Sequence, residues 1–105
     1  MRRVRVLPRA QEDIEALVVF MECEAGTDVA ARLLRALERT FDRLGDFPNR
    51  GRLHESPDPM LRPLRVVPVE DFERWLVFYR VLPSTVDVAR VLHGARNRND
   101  GLFAG

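Results

Sequence analysis

Two apolar runs, WLVFYRVL (75–82) and VDVARVL (86–92), flank Pro83-Ser84-Thr85. Runs rich in β-branched and aromatic residues, separated by a few turn-forming residues, fold as a β-hairpin. With Pro83–Thr85 as a three-residue loop, Leu82 faces Val86, Arg80 faces Val88 and Phe78 faces Arg90. The even-numbered residues of both strands then share one face, with Arg80 and Arg90 as diagonal neighbours. The odd-numbered residues, among them Trp75, Val77, Tyr79, Asp87, Val91 and His93, share the other. The arginine-bearing face is the one expected to meet a partner, and the Trp75–Val77 face the one expected to meet helices. Two guanidiniums side by side repel unless an anion lies between them. The alternative is that both snorkel over apolar neighbours into water. A slip of one residue in register would undo the pairing.

The rest of the chain supplies a sheet and a lid for that hairpin. Val4–Leu7 reads as a short strand, ended by Pro8, which suits the first turn of a helix. Ala10, Ile14, Leu17, Val18 and Met21 form one helical stripe, predicting a helix over Arg9–Ala25 that stops at Gly26. A second stripe, Ala30, Leu33, Leu34, Leu37, Phe41 and Leu44, predicts a helix to about Leu44, capped by Thr27 or Asp28 and stopped by Gly45. The short break makes the two helices an antiparallel pair. Phe47–Pro59 reads as loop, Leu61–Val67 as a strand with Pro63 at an edge or bulge, and Pro68–Glu73 as an acidic turn. The order β-α-α-β-β-β implies an α+β fold: an antiparallel sheet packed on one side by a helical hairpin. Residues 1–98 form one domain and 99–105 a loose C-terminal tail.

Composition excludes several classes. With 46% apolar residues the chain should fold. A net charge of +1 argues neither for nor against a nucleic-acid partner, and direct sequence-specific DNA binding by this chain alone is not expected. All seventeen basic residues are arginine. That is either a genome's codon habit or a surface built for forked contacts to carboxylate or phosphate. Cys23 is the single cysteine, so no internal disulfide forms and a reducing cytoplasm is the expected home. No apolar run approaches the ~18 residues of a membrane span, and Met1-Arg2-Arg3 leads into no signal-peptide core. Cys23, His54 and His93 lack metal-ligand spacing, and no glycine loop cradles a phosphate, so no metal or cofactor is expected.

FYRV (78–81) followed by RVLHGARN (90–97) resembles the C-terminal half of the RelE/ParE toxins of bacterial type II toxin–antitoxin modules. Leu7-Pro8, Ala10, Asp13-Ile14, FPNRGR (47–52) and Leu64-Arg65 fit in the same order, so the likeness spans about Val4–Arg98. RVLHGAR is more similar to the ParE side. The resemblance implies the same fold and two alternative functions. One is inhibition of DNA gyrase and hence replication, with no catalytic residues and with Arg80, Arg90, Arg96, Leu102 and Phe103 as target contacts. The other is a ribosome-dependent messenger-RNA endonuclease, for which Arg65, Arg80 and His93 are the candidates, with Arg62 in reserve. It also implies a cognate antitoxin with an N-terminal DNA-binding part and a C-terminal segment that folds on the toxin.

Several residues keep two readings. Arg32, Arg35, Arg39 and Arg43 lie opposite the second helix's apolar stripe. They form either a solvent face with i,i+3 pairs to Glu38, Asp42 and Asp46, or a docking surface for an acidic antitoxin segment. His93 is the sharpest candidate for proton transfer, yet only Tyr79 stands near it by strand order. Glu12, Asp13 and Glu15 read as an exposed helix start, and Glu70, Asp71 and Glu73 as a solvated turn.

Overall fold

A computed structural model describes residues 1–55, 59 and 63–96. The elements are β1 (Arg3–Val6), α1 (Pro8–Ala25), α2 (Thr27–Asp46), β2 (Arg52–His54), β3 (Leu64–Val69), β4 (Phe72–Val81) and β5 (Thr85–His93), with a 3₁₀ turn over Gly94–Arg96. Among the described residues no helix is long and apolar enough to cross a membrane.

The strands form one sheet in the order β1-β5-β4-β3-β2. All neighbours are antiparallel except β1 and β5, which run parallel with Arg3 beside Thr85 and Val6 beside Val88. The sheet is therefore mixed rather than wholly antiparallel, because the helical hairpin carries the chain back before the last strand lies down beside the first. The core lies between sheet and helices. Ala10, Ile14 and Leu17 of α1 and Leu33, Ala36, Leu37 and Leu44 of α2 pack on Val67, Val77, Tyr79, Val86, Val88 and Val91. A smaller cluster, Leu64, Val66, Phe78, Ala89 and Leu92, is buried separately from it.

The hairpin register holds only in part. Phe78 faces Arg90 and Trp75 faces His93 as the spacing predicts, but nearer the turn Tyr79 faces Val88, Arg80 faces Asp87 and Val81 faces Val86. The shift falls between Phe78 and Tyr79, where β5 carries Ala89 as an extra residue. This is a β-bulge, and the connection is correspondingly shorter, closed by a bond from the Leu82 N–H to the Thr85 carbonyl. The one-residue shift reverses the faces at this end of β5. Val86 and Val88 join the main core, while Asp87 stands on the face of Arg80.

Other boundaries move for identifiable reasons. Gly45 does not stop α2, which runs to Asp46. A Cβ at Gly45 would lie 2.8 Å from the Arg2 carbonyl oxygen, and the Gly45 carbonyl accepts the Arg2 N–H at 2.9 Å, so this glycine lets β1 approach the helix. Gly26 is the N-cap of α2, without a side-chain bond from Thr27 or Asp28. β3 begins after Pro63 and continues through an exposed Pro68 at a register shift, leaving Glu70-Asp71 as a tight turn with Asp71 at φ 66°. The stretch read as loop contains the short edge strand β2.

Candidate functional site

Four groups of side chains carry the chemistry. The first surrounds the hairpin. Asp87 is 2% exposed and sits between Arg5 on β1 and Arg80 on β4. Arg5 Nε and Nη2 each donate to its carboxylate at 2.8 Å, and the Thr85 hydroxyl donates at 3.3 Å. The Arg5 hydrogen bonds hold this carboxyl below the usual aspartate range, against the opposing effect of burial. Arg80 is therefore not beside Val88 with a bare guanidinium partner, as the uncorrected register implied. It faces an acid already forked by a second arginine.

The second group corrects the expectation for Arg90. β1 stops at Val6, opposite Val88, while β5 continues to His93. α1 takes over along the uncovered stretch of β5. Asp13 accepts from Arg90 Nε at 2.7 Å and Nη2 at 3.0 Å, and from the Val91 backbone N–H at 3.0 Å. The Arg90 side chain is 11% exposed and that of Asp13 14%. Arg90 is thus turned onto α1 rather than displayed beside Arg80, and Asp13 is not an exposed helix-start acid.

The third group fixes the FPNRGR loop. Tyr79 is fully buried; its hydroxyl donates to the Pro48 carbonyl at 2.7 Å and accepts the Gly51 N–H at 2.9 Å. Burial raises its pKa, opposed by the Gly51 bond and by Arg65 and Arg50. Arg65 Nη1 donates to the carbonyls of Gly51 at 2.6 Å and Asn49 at 3.3 Å. A Cβ at Gly51 would come 2.6 Å from the Tyr79 hydroxyl, so only glycine fits. On the neighbouring strand, His54 lies edge-on to Phe78, with ring centroids 5.2 Å apart, and burial lowers its pKa.

The fourth group lines a groove of about 420 Å³ between α1 and the end of the hairpin, with Ala16, Leu17, Phe20, Trp75, His93 and Ala95 on its walls. Trp75 lies between Phe20 and His93, with ring centroids 6.2 and 5.1 Å away. His93 Nδ1 accepts the Ala95 N–H at 3.0 Å, which pins the 3₁₀ turn. Among the described residues His93 has no carboxylate to orient it as a base.

The arginines of α2 divide into two pairs. Arg39 reaches Asp71 at 3.0 Å and Arg43 reaches Glu70 at 3.1 Å, not Asp42 and Asp46. The acidic turn is thereby tied to the helix, helped by Thr40, whose hydroxyl accepts the Glu70 N–H at 3.1 Å and donates to the Ala36 carbonyl. Arg32 and Arg35 are exposed, with no ion pair among the described residues. Arg96 ends the 3₁₀ turn; Arg62, Leu102 and Phe103 lie outside the described residues.

A helical hairpin on a five-stranded mixed sheet, with an arginine-gripped hairpin at its centre, defines a small α+β protein. Residues 4–98 match the family model of the ParE toxin of the type II toxin–antitoxin system parDE, and the chain belongs to that family. It is 35% identical over 95 residues to Toxin RelE1 of Caulobacter vibrioides, covering 90% of this chain and 96% of that protein. It is 36% identical over 72 residues to Toxin ParE3 of the same organism, covering 69% and 66% of the two chains. Among solved structures, a chain of the chromosomal ParDE system from P. aeruginosa superposes with a TM-score of 0.72 at 17% identity, covering 89% of this chain and 96% of that one. Family membership implies a cognate antitoxin as partner.

Proposed function

We propose that this chain is a ParE-like inhibitor of DNA gyrase, neutralised by its antitoxin, and not a ribosome-dependent nuclease. One observation supports this reading: several groups that a nuclease would use already serve the fold. The Tyr79 hydroxyl is committed to Pro48 and Gly51, Arg65 to two loop carbonyls, and His93 Nδ1 to Ala95. General acid–base catalysis needs a positioned proton carrier with a free face toward the reacting atom. A binding protein needs only a rigid surface.

The proposed target surface is the hairpin end with Arg80, together with Arg96, Leu102 and Phe103 beyond β5. Arg90 leaves this set, since it is held by Asp13. The antitoxin carries an N-terminal DNA-binding part, and an acidic C-terminal segment meets Arg32 and Arg35, the pair on α2 that forms no ion pair among the described residues. A cytoplasmic setting fits the single, exposed cysteine.

The test is DNA supercoiling by purified gyrase with increasing amounts of the chain. Inhibition near stoichiometry is expected, and none at large excess removes the proposal. Cleavage of messenger RNA on translating ribosomes, abolished by Arg80→Ala or His93→Ala, would establish the nuclease alternative instead.

A further inference from the structure

We infer that the β1 side of the sheet, at its hairpin-turn end, is a seat for the phosphates of a double-helical nucleic acid, gripped by Arg3, Arg5 and Arg80 without base recognition. The inference goes beyond the gyrase reading and does not depend on it.

The net charge of +1 conceals an asymmetry. Residues 1–9 (MRRVRVLPR) carry four arginines and no acid, whereas residues 10–105 carry thirteen arginines against sixteen acids. A basic cluster on one part of a near-neutral chain is the electrostatic footprint of a polyanion partner. The fold concentrates it further. Val4 and Val6 pack on the main core, so Arg3 and Arg5 stand on the opposite face of β1, and both are exposed. Arg3 lies beside Thr85 and Arg5 beside Asp87, and Asp87 in turn faces Arg80 on β4. Strand geometry spaces Arg3 and Arg5 about 7 Å apart and Arg5 and Arg80 about 10 Å apart. Arg2 adds a fourth cation at this end, its Nε donating to the Leu82 carbonyl at 3.1 Å.

Guarding a sheet edge explains part of this pattern, since charged side chains keep other strands away. It does not explain Arg80, which lies on the central strand of the five. The acids that border the cluster do not cancel it either. Asp46 ends α2 next to Gly45, whose carbonyl holds the Arg2 N–H, and contributes one exposed charge. Asp87 is buried and takes Nε and Nη2 of Arg5, yet the Arg5 side chain remains 51% exposed. A guanidinium has five N–H donors, so this fork fixes its plane and leaves the others for a second acceptor. A nucleic-acid duplex presents one phosphate charge for about every 1.7 Å of its axis, so a footprint of this span meets several whatever the sequence. Single strands are held by aromatic platforms on which bases stack. Among the described residues the exposed aromatics are Phe20 on α1 and Phe47 after α2, neither on β1 nor on the hairpin. The surface therefore fits a duplex backbone and not splayed bases.

A short fluorescent duplex DNA of arbitrary sequence, titrated with the purified full chain in the absence of gyrase, tests this by anisotropy. Saturable binding is expected at low salt. Three phosphate contacts give a log–log salt slope of about −2.7, a loss of about 40-fold in affinity between about 50 and 200 mM salt. Arg3→Gln is expected to reduce that slope by about one unit. Arg3→Glu/Ser84→Asp, both at exposed positions, is expected to abolish binding with the melting temperature in place. Arg74→Gln removes the same charge from an exposed position at the far end of β4 and is expected to leave affinity and slope as they were. Absence of saturable binding at low salt overturns the inference. So does an equal loss in Arg74→Gln, which would reduce the effect to net charge, or tighter binding of a single strand of the same length. Because gyrase is absent from the assay, each of these results leaves the supercoiling test to decide the gyrase reading separately.

Discussion

Asp13 on α1 grips Arg90 on β5 through two hydrogen bonds of 2.7 and 3.0 Å, with both side chains nearly out of solvent. The same carboxylate accepts the Val91 N–H, so it closes the edge of β5 where β1 has ended. An added strand therefore finds this stretch blocked, and the open edge at β2 is the better place for one.

Removing one member of that pair strands the other. Asp13→Ala is expected to cost about 3–5 kcal/mol, as breaking a buried ion pair does, whereas the double replacement Asp13→Leu/Arg90→Leu costs much less. Urea unfolding midpoints of the two variants decide it; equal losses would mean that the pair is solvated.

Tyr79→Phe removes the hydroxyl that satisfies both the Gly51 N–H and the Pro48 carbonyl. A loss of about 1–3 kcal/mol is expected, the cost of leaving a buried group unsatisfied. Amide exchange should accelerate across residues 47–52 before it does in α1. Unchanged exchange there would show that Arg65 alone holds the loop.

Asp87 gives acid sensitivity a defined sign. Its folded pKa lies below the unfolded value near about 3.9. The unfolded chain thus binds the proton more readily, and the stabilisation is complete above that value and lost as pH falls through the folded one. Asp87→Asn should flatten the stability profile below about pH 4 and leave its shape near neutrality unchanged. A thermal-melt series from pH 2 to 7 checks this; an unaltered acid limb would assign the loss to other carboxylates.

The α2 arginines separate stability from recognition. Arg39 forms an exposed ion pair with Asp71, and its alanine variant should lose no more than about 1 kcal/mol; Arg43 pairs with the half-buried Glu70, and its alanine variant should lose more than that of Arg39. Arg32→Ala/Arg35→Ala should leave the melting temperature in place but weaken antitoxin binding in calorimetry, more so at low salt. Equal affinity would move the antitoxin's acidic segment elsewhere.

Both helices, the hairpin and the α+β class were legible because each rests on a local period. Of the stripe Ala30, Leu33, Leu34, Leu37, Phe41 and Leu44, four residues are buried as one helical face, Phe41 is half-buried and Leu34 is exposed. The details that failed are non-local. Nothing near Ala89 announces a bulge, since the extra residue is another small apolar one, yet it reverses which β5 residues face the helices. Asp13 looks like any acid in a first helical turn, and its partner Arg90 is 77 residues away. Gly45 reads as a helix stop because the carbonyl that crowds it belongs to Arg2 at the other end of the sequence. Asp87 offered the best missed signal: an acid inside an apolar strand needs a cation, and Arg5 sits on the strand beside it.

The parallel pairing of β1 with β5 sets a timetable for biosynthesis. Residues 3–6 are translated 82 positions ahead of their hydrogen-bonding neighbours at 85–88. At about 5–20 residues per second, the leading strand waits roughly 4–16 s for its mate. A truncated product that lacks β5 leaves β1 without the strand it pairs with, so the sheet closes only once residues 85–88 have been made.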